Sequence, residues 1–156
     1  AQFRAFFLEV AKPRQREETF LFPGATELLR GLRARGVRLG IVSTKTGETI
    51  EYIMDRLGLG DCLDFVIGSS DVKHHKPHPE GLEMALDQLG LPPERVLYCG
   101  DTVLDAEAAQ RAGLEFAAVL NGTTPASAFD VWPHVFLARD LDALARFLEG
   151  RTRPAV

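Results

Sequence analysis

The sequence is poor in cysteine and tryptophan and contains no long apolar run. Its two cysteines, Cys62 and Cys99, have neither CxxC nor zinc-finger spacing, and Cys99 lies within an apolar stretch. Both are therefore predicted to be buried free thiols in a reducing compartment. No run of about 18 apolar residues occurs, and the first residues do not form a signal-peptide pattern. These absences predict a cytoplasmic protein without disulfides, a zinc finger or a membrane span.

A strong net charge is also missing. The formal net charge is −4 at pH 7 over 156 residues, of which 46% are hydrophobic and 26% are charged. This balance is ordinary for a globular protein and gives no basis for a nucleic-acid or acidic-membrane partner. A chain of this length can bury a core without metal or disulfide cross-links, and the composition is compatible with a monomer and with a homodimer.

Beyond about residue 25, short β-rich runs alternate with amphipathic helical segments. The runs are almost continuously apolar, as expected when helices cover both faces of a sheet. The alternation predicts an α/β fold with a doubly wound, parallel, Rossmann-type sheet. Strands are predicted at Val37 to Ser43, Asp64 to Gly68, Arg95 to Gly100, Glu115 to Leu120 and His134 to Ala138. Helices are predicted at Ala25 to Arg35, Glu48 to Leu57, Glu80 to Leu89, Asp105 to Ala112 and Leu141 to Leu148, with left-handed closing residues at Gly36, Gly58, Gly90, Gly113 and Gly150.

Residues 1–20 do not fit this alternation. Phe3 to Val10 is an aromatic-rich segment of helical character, and Lys12 to Glu18 is a charged stretch. We interpret residues 1–20 as the end of a separate helical subdomain with its linker, and residues 21–156 as the α/β core domain.

Polar side chains follow three of the predicted strands. Because open parallel sheets bind ligands at the carboxyl ends of their strands, the Ser43 hydroxyl, the Lys76 ammonium and the Asp101 carboxylate are expected to meet at one edge. Ser43 and Thr44 can donate to phosphate oxygens near a helix N-terminus, and the prolines that follow Lys76, Pro77 and Pro79, fix the direction of its side chain. Taken alone, Ser43 is better explained as a strand-to-helix cap and Lys76 as an exposed lysine. Together they predict a phosphate site.

The segment from Gly100 to Asp105 is the most informative. Asp101 and Asp105 are four residues apart, about one helical turn, and two hard oxygen ligands at a strand end suit Mg²⁺. The alternative makes Asp101 a helix N-cap and Asp105 a first-turn acid favoured by the helix dipole. The neighbouring phosphate site favours the Mg²⁺ interpretation.

Three further features carry weaker signals. His74, His75 and His78 lack the spacing of a HExxH zinc site, and adjacent loop histidines usually point apart, so a metal site is not favoured, although His78 could lie near a substrate. Asp140-Leu141-Asp142 resembles a DxD motif but is better explained as a helix N-cap and first turn. Asn121-Gly122 is predicted to be a turn that faces the active edge.

Four motifs follow one another along the chain: Phe22-Pro23-Gly24, Leu39 to Lys45, Val66 to Pro79 and Gly100 to Asp105. In this order and spacing they resemble the haloacid dehalogenase-like (HAD) hydrolases, and most of all the phosphoglycolate phosphatase branch. The resemblance covers about residues 20–148. Phe3 to Ala11 resembles the last helix of the family's helical cap.

The resemblance implies a role for each matching residue. Ser43 would bind the transferring phosphoryl group, and Lys76 would neutralise the phosphate and the nucleophile. Asp101 would be the Mg²⁺ ligand, with Asp105 in an adjacent supporting role. Thr44 stands where asparagine is common in the family.

One family motif has no match. The resemblance implies a first strand ending in Asp-x-Asp-Gly-Thr, whose first aspartate attacks phosphorus and whose second acts as general acid and base. The nearest segment would put Glu9 and Ala11 at these positions, without the glycine-threonine pair. In the family this strand lies between those ending at Ser43 and Asp101, and its loss would leave two unpaired edges. We therefore expect the native chain to extend upstream of Ala1 with this strand and most of the cap.

The function implied by the resemblance is Mg²⁺-dependent hydrolysis of a small phosphorylated metabolite, with 2-phosphoglycolate as the first candidate and an aspartyl-phosphate formed upstream. The alternatives are a non-catalytic phosphate- or metal-binding module, and another enzyme of the family such as a pyrophosphatase or a phosphosugar mutase. A receiver-like signalling domain is disfavoured, because there the carboxylates precede the hydroxyl and the lysine in the chain.

Overall fold

The computed structural model describes residues 2–3 and 21–151, which form one six-stranded sheet with helices on both faces. The strands are β1 (Gln2–Phe3), β2 (Gly40–Val42), β3 (Phe65–Ile67), β4 (Leu97–Gly100), β5 (Glu115–Val119) and β6 (Phe136–Ala138). The α-helices are α1 (Ala25–Ala34), α2 (Gly47–Arg56), α3 (Glu80–Leu89), α4 (Val103–Arg111) and α5 (Leu141–Glu149). The strand order is β3-β2-β1-β4-β5-β6 and all neighbours are parallel, which confirms the predicted doubly wound sheet.

Two apolar layers hold the helices on the sheet. Helices α1, α2 and α5 supply one layer, and α3 and α4 supply the other. Successive strand residues alternate between the layers, so that Leu97 and Cys99 join the first and Tyr98 joins the second. Both cysteines are free and buried, as predicted, and burial raises the pKa of Cys99 to about 12. Cys99 is therefore a core residue and not a reactive thiol.

The predicted helix ends are largely confirmed. The structure has positive φ angles at four of the five predicted closing glycines, namely Gly36, Gly58, Gly90 and Gly113. Gly150 was wrongly included, because its φ of −71° keeps it in the right-handed helical region. The cap prediction at Asp140 is confirmed, since its carboxylate accepts a hydrogen bond of 2.7 Å from the Ala143 amide at the start of α5.

The central position of the sheet is taken by Gln2–Phe3. Gln2 pairs with Gly40 on one side and Tyr98 on the other, and Phe3 pairs with Cys99. This corrects the helix prediction at Phe3, since a strand between two others must offer its backbone to both. It also places residues of this chain where a strand from upstream of Ala1 was expected. The rest of the predicted cap helix and linker, residues 4–20, lies outside the described residues.

The lengths of the helices bear on the membrane prediction. Within residues 21–151, no helix combines the length and the apolar character that crossing a bilayer would require.

Candidate active site

The candidate site lies at the carboxyl edge of the sheet. Ser43 directly follows β2, Asp101 directly follows β4, and Lys76 comes from the loop between β3 and α3. A small pocket at this edge is lined by Ser43, Thr44, Lys76 and the loop histidines. The structure thus brings together the three residues predicted to bind phosphate.

Lys76 is a buried lysine with a closely defined position. Its side chain is 4% exposed, and Nζ donates to the Val42 carbonyl at 3.2 Å, the Tyr98 hydroxyl at 2.9 Å and Asp105 Oδ1 at 2.8 Å. The alternative of an ordinary exposed lysine is therefore wrong. An ammonium held in a partly desolvated pocket interacts with an anion more strongly than one in water does.

Asp105 is fully buried and is the partner that holds Lys76. Its Oδ1 accepts from Lys76 and from the Tyr98 hydroxyl at 2.8 Å, while Oδ2 accepts from the Thr102 amide at 3.1 Å and the Thr102 hydroxyl at 2.7 Å. Because each Asp105 oxygen already accepts two hydrogen bonds, which use both of its lone pairs, this geometry favours a supporting role over direct Mg²⁺ coordination. Tyr98 has no signal in the sequence, because it lies within an apolar strand.

The start of α4 shows whether Asp101 is a helix N-cap, which the sequence left open. Thr102 is the N-cap, and it forms a capping box with Asp105 at the third helical position. Helix α4 therefore begins at Val103, two residues before the predicted start, and Asp101 is not its cap. The explanation of Asp101 as a helix cap is wrong, whereas Asp105 does lie in the first turn.

Gly100 is required by the close approach of Asp105 to β4. A Cβ atom at position 100 would lie 2.5 Å from Asp105 Cβ and 2.7 Å from its Cγ. We expect Gly100→Ala to destabilise the protein by about 1–3 kcal/mol, because the carboxylate must move away from Lys76. Urea denaturation measures the change; Gly31→Ala is the control, since its Cβ would meet nothing within 4 Å. Equal stabilities of the two variants would contradict this account.

Asp101 lies against the loop that follows β5. A Cβ atom at Gly122 would be 2.6 Å from Asp101 Oδ2, so only glycine allows this approach. Asn121 Oδ1 is buried and has no hydrogen-bond partner among the described residues, and the predicted turn at Asn121-Gly122 is confirmed. The Asp101 carboxylate thus lies against Gly122, the residue next to Asn121, and carboxylate and amide oxygens are hard ligands of the kind that Mg²⁺ prefers. The sequence predicted the turn, but it gave no signal that the Asn121 side-chain oxygen is buried.

Ser43 is 7% exposed and is fixed by its backbone. Its amide donates to the Ile67 carbonyl at 3.0 Å, and its Oγ accepts from the Lys45 amide at 3.2 Å. The alternative of a helix cap is wrong, because the N-cap of α2 is Thr46, and the Ser43 hydroxyl instead accepts within a local turn that precedes the helix. This turn does not exclude phosphate binding, because a hydroxyl that accepts one hydrogen bond still has a proton to donate.

The Glu80 carboxylate binds backbone amides of the loop that carries Lys76. Its Oε1 accepts from the Lys73 amide at 2.8 Å, and its Oε2 accepts from the His74 amide at 3.0 Å and lies 2.9 Å from His74 Nδ1. The hydrogen bond from the Lys73 amide, followed by that from the His74 side chain, lowers the pKa of Glu80 to about 2. The loop is therefore tied to the first residue of α3 by a carboxylate that stays ionised in acid.

The lowered pKa of Glu80 gives a pH-dependent contribution to stability. A depressed carboxyl pKa stabilises the folded state above the ordinary value of 4.5, and the contribution is lost as the pH falls toward 2. We therefore expect the melting temperature of the native protein to exceed that of Glu80→Gln near neutral pH and the difference to shrink through this window. Thermal melts across the range test this, and a difference that stays constant would refute it.

Comparison with known proteins adds to this geometry. The sequence profile of haloacid dehalogenase-like hydrolases matches residues 2–119. The chain belongs to this family. Phosphoglycolate phosphatase of Shigella boydii serotype 4 (strain Sb227) is 33% identical over 129 residues, and that of Salmonella paratyphi A (strain ATCC 9150 / SARB42) is 38% identical over 111 residues. These matches cover 83% and 71% of this chain and 50% and 42% of the relatives, so the chain spans about half the length of the curated relatives it matches.

Solved structures agree with the HAD assignment. A Bacteroides fragilis protein assigned to the haloacid dehalogenase-like hydrolases superposes with a TM-score of 0.81 at 40% identity, covering 83% of this chain and 61% of that one. A Thermotoga maritima protein assigned as a beta-phosphoglucomutase superposes with a TM-score of 0.78 at 25% identity, covering 86% and 63%. The α/β core described above is therefore a HAD-type core.

Proposed function

We propose that this HAD hydrolase is part of a Mg²⁺-dependent phosphatase of small phosphate monoesters, with 2-phosphoglycolate as its first candidate substrate. The observation that carries the proposal is the buried Lys76–Asp105 ion pair beside Ser43, at the same sheet edge as Asp101. The positive charge of a buried ammonium beside this pocket suits a phosphate dianion, and the curated relatives described above are phosphoglycolate phosphatases.

In this proposal the residues of this chain bind the phosphoryl group and the metal ion. Lys76 offsets the negative charge of the bound phosphoryl group, and Asp105 with Tyr98 positions the ammonium. The Ser43 hydroxyl donates to a phosphoryl oxygen. Asp101 would hold Mg²⁺ with help from Asn121, and the ion when bound neutralises charge that develops on the phosphoryl oxygens.

The attacking carboxylate is the remaining part of the proposal. Gln2 and Phe3 carry no carboxylate, and no aspartate precedes Asp55 in the sequence. We therefore assign the attack on phosphorus to an aspartate outside these 156 residues, on a strand that would replace Gln2–Phe3 between β2 and β4. Its oxygen forms a bond to phosphorus as the bond from phosphorus to the alcohol oxygen breaks, and the second aspartate of the same motif gives the alcohol its proton. That aspartate then takes a proton from the water that cleaves the aspartyl-phosphate, which returns the carboxylate and inorganic phosphate.

A phosphatase assay on the full-length protein and on the 156-residue chain tests the proposal. Substrates are 2-phosphoglycolate, a hexose phosphate and pyrophosphate, each with added Mg²⁺ or with EDTA. We expect phosphate release from 2-phosphoglycolate by the full-length protein only, and abolition by EDTA. Phosphate binding without turnover of any substrate by the full-length protein would favour a non-catalytic module instead, and preference for pyrophosphate or the hexose phosphate would overturn the substrate assignment.

A further inference from the structure

We propose that His74, His78 and Glu80 form a binding site for a divalent transition-metal ion of the Zn²⁺ class, separate from the Mg²⁺ site assigned to Asp101. Each residue offers one ligand atom, and the three atoms lie within 4.8 Å of one another. Two imidazoles and one carboxylate are a donor set that binds Zn²⁺ and related ions in preference to Mg²⁺. The site does not depend on the phosphatase assignment.

The fold of the loop creates a proximity that the sequence spacing did not predict. The His78 amide donates to the His75 carbonyl at 3.0 Å, and this turn brings the His78 ring back onto His74. The two rings are stacked with their centroids 4.6 Å apart. His75, which is adjacent in sequence, is not part of the cluster.

Glu80 keeps this arrangement in place before any ion is bound. Its carboxylate is fixed by the amides of Lys73 and His74, at 2.8 Å and 3.0 Å. Each carboxylate oxygen has two lone pairs, so an oxygen that accepts one amide proton can still bind a cation. The anionic ligand of the site is thus preorganised.

Binding replaces two hydrogen bonds of the loop with bonds to the ion. His74 Nδ1 and Glu80 Oε2 are 2.9 Å apart, close to the roughly 3.3 Å between two ligands of a tetrahedral ion with bonds of about 2.0 Å. The ion takes the place of the proton between these two atoms, and the neutral His74 ring carries its proton on Nε2 instead. At His78 it replaces the 3.2 Å hydrogen bond that Nδ1 accepts from the Glu80 amide, because a neutral ring has one unprotonated nitrogen. Water completes the coordination.

The position of the site in the chain gives it a direct relation to Lys76. His74 and His78 lie on either side of this lysine in sequence, and both line the same pocket. An ion that joins them fixes both ends of the segment from which the lysine side chain enters the sheet edge.

Titration of the metal-free, full-length protein with Zn²⁺ in the presence of saturating Mg²⁺ tests the site. Calorimetry gives the stoichiometry, and the absorption spectrum with Co²⁺ reports imidazole ligands. We expect one equivalent to bind, with affinity reduced about tenfold or more in His74→Ala, His78→Ala and Glu80→Gln. The matched controls are His75→Ala, the sequence neighbour, and His134→Ala, the one histidine outside this loop; both are expected to bind like the native protein.

NMR of the native protein supplies a measurement that does not depend on folding of the variants. Zn²⁺ is expected to shift the ring signals of His74 and His78 and to leave those of His75 and His134 in place. The proposal is overturned if no ion binds, if His75→Ala weakens binding as much as His74→Ala does, or if Mg²⁺ competes fully with Zn²⁺. The last result would assign the ion to Asp101, and none of these results bears on phosphatase activity.

Discussion

Replacing Lys76 with methionine is expected to reduce the turnover of phosphate monoesters by about 10²–10³-fold, the range found when one charge-stabilising donor is removed. The same change is expected to lower the free energy of unfolding by about 3–5 kcal/mol, because Asp105 is fully buried and loses its counter-charge. Methionine retains the length of the side chain and removes only its charge and its donors. Steady-state kinetics and urea denaturation measure the two effects.

The two effects can be separated with a second substitution. In Lys76→Met/Asp105→Leu no buried charge is left, so much of the lost stability should return, although Tyr98 and Thr102 each lose an acceptor. Turnover should not return with it. Recovery of activity in the double variant would show that Lys76 is important only for folding.

Lys73→Met is the matched control for the single variant. Lys73 is exposed and contributes its backbone amide, which the substitution keeps, to the Glu80 carboxylate. Its stability should stay within about 0.5 kcal/mol of the native protein. A loss of turnover equal to that of Lys76→Met would contradict the assignment of the phosphate-binding charge to Lys76.

The topology of the sheet could be predicted from the sequence because its strands are short, almost continuously apolar runs. Strands β2, β4 and β5 are short apolar runs buried on both faces, and β2 and β4 are each followed by a helix whose apolar residues recur at the helical period. These patterns report the backbone topology directly. Since the carboxyl ends of such strands meet at one edge, the proximity of Ser43 to Lys76 and the position of Asp101 directly after β4 at that edge could be predicted as well.

The contacts within the site could not be predicted in the same way. Tyr98 belongs by pattern to a strand interior, and only the packing of α3 and α4 brings its hydroxyl to Lys76 and Asp105. The pairing of His74 with His78 depends on one turn and on Glu80. Contacts of this kind depend on tertiary geometry, which neither periodicity nor residue spacing encodes.

Strand β1 could not be predicted from its local composition. An aromatic-rich segment at Phe3 has the composition of a packed helix, yet a two-residue strand at Gln2–Phe3 pairs with both neighbours in the sheet. Backbone pairing between two existing edges can override local helix preference, since unpaired buried amides and carbonyls are costly. The sequence pattern records only the local preference.

Asp101→Asn is expected to abolish the Mg²⁺-dependent part of phosphate release in the full-length protein, with a fall of roughly 10²–10³-fold at saturating Mg²⁺. The substitution keeps the size of the side chain and removes the charge that would hold the ion, which is worth several kcal/mol to the transition state. Stability should change little, because Asp101 is not the cap of α4 and is only partly buried. Steady-state kinetics over a series of Mg²⁺ concentrations measure turnover, and thermal melts measure stability.

Asp142→Asn is the control, because Asp142 belongs to the DxD-like segment at the start of α5 and is exposed. Near-native turnover of Asp101→Asn, or an equal loss in Asp142→Asn, would refute the metal assignment.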